Sequence, residues 1–289
     1  MKKIFFLTML LGLAGCGENN ESTSLSTQNV SVQKTALTRS TNLNNTNQVC
    51  SYNFDATNGQ LAQLKSLSGS DPDGDVSYFP IVEGQKFTAH ISKYNIQTFL
   101  AGSHKYLEQA IIQNSGGVPD LRGDHILPTR GVIAYEAKIK VFPLPLTGDN
   151  DGIISAIAMA SHIKGQEVMT LTVGFGSTKD KNANFSHDLI VLDKTYPLNI
   201  TSNEYQRVGI YINQDTQQVG SIVNGYDQGY IPEYKLPSVF DNALFVASIM
   251  HISAQEAEGK ELSLELITDR NALEFKYPEG TTDICGNLI

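Results

Sequence analysis

Three stretches of the chain alternate apolar and polar residues with a period of two, a spacing that belongs to a sheet with one face on a core. Ile133, Tyr135, Ala137, Ile139 and Val141 alternate with Ala134, Glu136, Lys138 and Lys140. Val208, Ile210 and Ile212 alternate with Arg207, Gly209, Tyr211 and Asn213, and Leu262, Leu264 and Leu266 with Glu261, Ser263 and Glu265. Each predicts a half-buried strand whose charged face meets solvent. Residues 153–160 and 243–252 are nearly all apolar, as in central strands covered on both sides. The first of these is Ala-rich, and a helix there is an open alternative. Turn formers separate the runs at Gly148–Gly152, Asn213–Thr216 and Asn224-Gly225. One short helix is expected near 104–113, from Leu107, Ala110 and Ile111. Many strands, little helix and no tandem repeat predict an all-β two-sheet antiparallel sandwich, formed by residues 50–289 as a single domain.

Hydrophobic residues make up 40% of the chain, enough for such a core. Acids outnumber bases, and the net charge is −9. That surface repels phosphate backbones, so nucleic acid is excluded as a partner; a cation or a neutral ligand such as a glycan suits it better.

Residues 1–15 read in three parts: basic Lys2 and Lys3, an apolar run Ile4–Leu13 too short to cross a bilayer as a helix, and small residues before a cysteine. Without the two lysines the charge becomes −11. The string Leu13-Ala14-Gly15-Cys16 resembles the lipobox of bacterial lipoproteins. The resemblance implies that residues 1–15 are a signal peptide cut before Cys16, and that Cys16 carries a diacylglyceryl thioether and an acylated amine. It makes the lipid bilayer a partner. With Gly17 rather than Asp following, the family's sorting rule implies the outer membrane of a Gram-negative cell envelope. Each buried methylene adds about 0.8 kcal/mol, so several acyl chains, palmitate among them, hold durably. An ordinary secretory signal with a chance cysteine is the alternative. Residues 16–49 continue from that cysteine into Ser, Thr, Asn and Gln, a composition that cannot offset the entropy of ordering and predicts a disordered tether with a reach of roughly 30 Å. With Cys16 lipidated in an oxidising compartment, Cys50 and Cys285 are the remaining thiols, and a disulfide between them is expected; two free thiols are the alternative.

From Ile133 to Gly225 the order of elements resembles the concanavalin A-like, laminin-G-like jelly roll. An alternating strand is followed by a buried one, then by Tyr205-Gln206-Arg207-Val208-Gly209-Ile210-Tyr211, a turn at Asn213–Gln217 and a strand running into Asn224-Gly225. That family usually has Trp where Tyr205 stands, and this chain has no Trp. The chain as a whole also resembles a bacterial lipoprotein family of unknown function, from which no activity carries over.

Four constellations could carry chemistry. Asp71-Pro72-Asp73-Gly74-Asp75 sets Asp71, Asp73 and Asp75 at alternate positions of a turn, able to supply hard oxygens to Ca²⁺; it lacks the bidentate Glu of an EF-hand, since Val82 stands there. Asp149-Asn150-Asp151-Gly152 is a second acidic turn. Such residues also simply make turns. Tyr226, Tyr230 and Tyr234 stand four apart in what reads as a loop after a strand, with Asp227 and Gln228 between them. A Tyr ring can stack on a sugar while the acid and amide take its hydroxyls. Such rings equally cover a sheet edge. Glu261 and Glu265 share one strand face; related glucanases of the fold use Glu-x-Asp-x-Glu, and here Ser263 replaces the middle Asp.

No His pairs with another His or Cys at zinc-ligand spacing, and Ser186-His187-Asp188 accompanies no nucleophile elbow. Arg122-Gly123-Asp124 is an adhesive tripeptide short enough to arise by chance. The expected function is therefore a membrane-anchored binding module for a glycan or an envelope protein. A glycoside hydrolase or lyase of the same fold, or a structural envelope protein, are the alternatives.

Overall fold

The computed structural model describes residues 49–68, 76–78, 81–91, 96–120, 122–141, 152–161, 169–179, 185–200, 204–237, 240–252 and 258–289. The leader, Cys16 and residues 17–48 of the tether lie outside the described residues, as do Asp71, Asp73, Asp75 and Asp149–Asp151. Cys50–Ile289 form one compact unit. In chain order its elements are α1 (Asn58–Ser68), β1 (Val76–Tyr78), β2 (Ile81–Glu83), β3 (Lys86–His90), β4 (Ile96–Gly102), α2 (His104–Asn114), β5 (His125–Ile126), β6 (Val132–Val141), β7 (Gly152–Ser161) and β8 (Met169–Lys179). There follow β9 (Phe185–Val191), β10 (Lys194–Pro197), β11 (Glu204–Asn213), β12 (Gln218–Val223), β13 (Tyr226–Lys235), β14 (Asn242–Ile252), β15 (Glu261–Ile267) and β16 (Thr282–Asp283).

The strands form the two sheets of a jelly-roll sandwich. One runs β1-β4-β14-β7-β8-β9-β10, with β5 beside β14; the other runs β13-β12-β11-β6-β15-β3-β2, with β16 beside β6. Pairing is antiparallel except for β1 with β4 and β16 with β6. The apolar members of each alternating run face inward, where Phe87, Tyr135, Ile139, Phe175, Val208, Ile210, Phe245 and Leu264 are buried. Tyr135 and Phe245 meet edge to face across the two sheets, ring centres 5.2 Å apart. Each such side chain contributes about 1.5–3 kcal/mol by leaving water.

The Ala-rich segment is a strand, not a helix: β7 has β14 on one side and β8 on the other in continuous register. Helix α2 stands where expected, capped by Ser103, whose side chain accepts from the Tyr106 amide. It packs on the first sheet's outer side, its Tyr106 and Leu107 against Gly102 of β4. Helix α1 was not anticipated. Its start is a capping box: Thr57 Oγ1 accepts from the Gln60 amide and Gln60 Oε1 from the Thr57 amide. Among the described residues no helix is long and apolar enough to cross a membrane.

Cys50 and Cys285 form a disulfide, with Cα atoms 5.8 Å apart. Thr268 reinforces it: Oγ1 donates to the Cys50 carbonyl at 3.0 Å and accepts from the Tyr52 amide. Tyr52 in turn accepts from the Phe245 amide and donates to Asp124, which ties the first described residues to both sheets.

A polar cleft on the outer face of the second sheet

The outward face of the second sheet divides in two. Over the first half of β6 and the second half of β11 it is covered by residues 272–277, a strap with no regular structure. Ala134, Tyr211 and Ile222 form a small apolar cluster there, packed by Tyr230, Phe275 and Tyr277. Two glycines let the rings lie close: a Cβ on Gly209 would come within 2.4 Å of the Tyr277 hydroxyl, and one on Gly220 within 2.2 Å of the Tyr211 ring.

One carboxylate holds the strap. Glu136 is 0% exposed. Its Oε1 accepts from the Glu274 amide at 3.0 Å, the Phe275 amide at 3.0 Å and the Tyr277 hydroxyl at 2.9 Å. Arg207 Nε closes an ion pair with Oε2. Arg207 also reaches the Glu274 carboxylate at 2.7 Å and the Ala272 carbonyl at 2.7 Å. Burial, and then the neighbouring Glu136 charge, push the Tyr277 phenol far above its ordinary pKa, so it stays a donor. The alternation in β6 predicted a solvated charged face; at Glu136 this is corrected, because the strap covers it.

Beyond the strap the face is open, and the register lines up one charged residue from each of five strands. Glu83 pairs with Lys86, Lys86 with Glu265, Glu265 with Lys138, and Lys138 with Arg207. These five residues line a cleft of about 570 Å³, walled by Asn271, Leu273 and Glu274 of the strap region and reaching Ser51 and Gln85 at one end. At its margin stands Tyr205, 44% exposed. The Lys138 ammonium lies 4.6 Å from the centre of the Tyr205 ring, and the Tyr205 hydroxyl is 3.4 Å from Ser263 Oγ.

The glutamates singled out from the sequence both border this region. Glu265 is half-buried in the cleft floor. Glu261 accepts from Lys140 Nζ at 3.0 Å, and that bond and charge hold its carboxyl below the usual range. A general acid requires the opposite shift, so Glu261 stands as the ionised partner of Lys140.

The three tyrosines are not brought together. Asn224-Gly225 is a two-residue turn with φ of 49° and 87°, and Tyr226–Lys235 is an edge strand rather than the expected loop. Register shifts against β12 interrupt the strand, so spacing by four does not keep one face. Tyr226 falls opposite Val223, on the inward row at the strand end, 76% exposed. Tyr230 falls opposite Gly220 on the outward side, against the Tyr211 ring, and accepts from Asn213. Tyr234 packs on the core and donates to the Thr170 carbonyl of the facing sheet. Asp227 accepts from the Tyr211 hydroxyl at 2.8 Å and the Gly229 amide at 2.9 Å, and Gln228 donates to the Tyr226 carbonyl. These groups serve the edge of the sheet.

Other motifs are likewise structural. Ser177 Oγ lies 2.8 Å from His187 Nδ1, on the core-facing row that also carries Ile153. A Cβ on Gly123 would collide with the Ala243 backbone, and Asp124 accepts from Tyr52, so the Arg-Gly-Asp string is packed against β14. Asp283 lies beside the Cys50 and Cys285 sulfurs, but these are spent in the disulfide, and its carboxylate accepts from the Cys285 and Asn287 amides.

A family model described as "Domain of unknown function (DUF4882)" matches residues 24–287. No curated protein matches the chain significantly. Among solved structures, the chain is similar to the Emp46p carbohydrate recognition domain in its potassium-bound form at 9% identity, covering 65% of this chain and 85% of that one, with a TM-score of 0.36. It is similar to the β-glucanase of Bacillus licheniformis at 12% identity, over 47% of this chain and 64% of that one, with a TM-score of 0.27. The κ-carrageenase of Pseudoalteromonas carrageenovora matches at 12% identity, over 65% of this chain and 79% of that one, with a TM-score of 0.28.

Proposed function

The chain belongs to the DUF4882 family, and on that premise we propose that it is a lipid-anchored binding module of the bacterial envelope, its cleft taking a glycan or another polar envelope component. One observation carries the reading. Five neighbouring strands each contribute a charged side chain to an open cleft, and four of them, Glu83, Lys86, Lys138 and Glu265, have no ion-pair partner within 4.0 Å among the described residues. Charged groups in a cleft, without ion-pair partners in the protein, are what a polar ligand meets. The Tyr205 ring beside them supports a ligand with a flat apolar face.

The anchor rests on Leu13-Ala14-Gly15-Cys16, with the outer membrane as its site. The polar residues that follow suit a tether holding the body off the bilayer. Two measurements test the whole. Binding of the full chain to a glycan array should fall when Lys138 and Glu265 are replaced together by Met and Gln; an array on which the parent chain binds nothing removes the glycan. Labelled palmitate should enter the protein in its native host and be lost in Cys16→Ser; an unlabelled chain removes the anchor.

A further inference from the structure

The chemical class of the ligand can be narrowed. Resting on the binding-module reading, we propose that the cleft takes an uncharged polyhydroxylated chain, a neutral polysaccharide, laid across the strands along the row Glu83–Lys86–Glu265–Lys138–Arg207.

The lining charges balance. Glu83 and Glu265 face Lys86 and Lys138, while Arg207 is already engaged by Glu136 and Glu274, so the open row has no net charge with which to gather a polyanion or a polycation. The signs also alternate from Glu83 to Lys138. A ligand of one sign would meet a like charge at every second position. A hydroxyl both donates and accepts, so a run of hydroxyls matches carboxylates that accept and ammoniums that donate, each bond strengthened by the protein's charge.

The site is also elongated. Four strand-to-strand steps of about 4.8 Å make the row roughly 19 Å long, more than one sugar ring fills. Tyr205 lies two residues along β11 from Arg207, at the next outward-facing position off the row: it pairs with Lys140, and its ring meets Lys138. That places a stacking surface for the C–H face of a sugar beside donors and acceptors for its hydroxyls.

The test uses the full chain in detergent, titrated with neutral laminarin, galactomannan and dextran, with anionic polygalacturonate and with cationic chitosan. At least one neutral polymer should bind, with affinity changing less than about twofold between about 0.05 and 0.5 M NaCl, because no ion pair with the ligand is there to be screened. Glu265→Gln and Tyr205→Ala should each weaken it about tenfold, with unfolding midpoints unchanged. Preference for polygalacturonate or chitosan, or binding abolished by salt, overturns the neutral class while leaving a binding module in place. Neutral binding untouched by both substitutions puts the site elsewhere and overturns the inference. Binding of none of the five polymers also overturns it, and whether the glycan array is then blank decides if the wider glycan reading falls too.

Discussion

Glu136 and Glu265 sit on adjacent strands of the same sheet face, yet they do opposite things. Glu136 is sealed under the strap, with three donors on one oxygen and Arg207 on the other. Glu265 stands in the open cleft with no ion pair within 4.0 Å among the described residues. A buried carboxylate whose lone pairs are filled belongs to the architecture, while an accessible one with unfilled lone pairs is available to a ligand. Identical residues in similar alternating runs are divided by what lies on top of them.

Substitutions can break or sharpen that contrast. The largest effect is expected of Glu136→Ala, which leaves Arg207, the Tyr277 hydroxyl and two strap amides without their acceptor. It should cost about 3–5 kcal/mol in urea unfolding, against less than about 0.5 kcal/mol for Glu265→Ala. Equal losses would abolish the distinction. Removing the disulfide with Cys50→Ser and Cys285→Ser should cost about 2–5 kcal/mol. It should also speed hydrogen exchange at Glu274 and Phe275, since the strap is followed by β16 and Cys285; unaltered exchange would make the strap independent of the staple. Tyr277→Phe removes one hydrogen bond to a charged group and should cost about 1.5–3 kcal/mol by the same unfolding measurement.

The smallest effect belongs to the open half. Pairing with Lys140 holds the Glu261 pKa below its unfolded value, so this pair stabilises above the unfolded pKa and fades as pH falls through the lowered one. Because the group is exposed, Lys140→Met should change stability at pH 7 by about half a kcal/mol or less and flatten the acid limb slightly. A larger change would mean that the open face also carries structure.

The strands that build both halves were legible. Period two gave the positions of β6, β11 and β15, and Ala-rich β7 was uncertain only because small residues suit either secondary structure. Helix α1 had a readable signal in Thr57 and Gln60, which a search for apolar periodicity overlooks. Alternation says which residues share a face but not what covers that face, so Glu136 read like Glu265. The charged row was hidden because its members come from five strands scattered along the chain, from Glu83 to Glu265, and only register joins them. The tyrosine spacing misled because the irregularities in β13 reset which side each ring takes.

The staple between residues 50 and 285, 235 positions apart in sequence, has a mechanical consequence. A pull arriving through residue 49 is divided at once between the opening and closing segments of the body. Peeling cannot start by stripping the leading segment alone, because the covalent bond passes part of the load to the closing segment before the first strand is engaged.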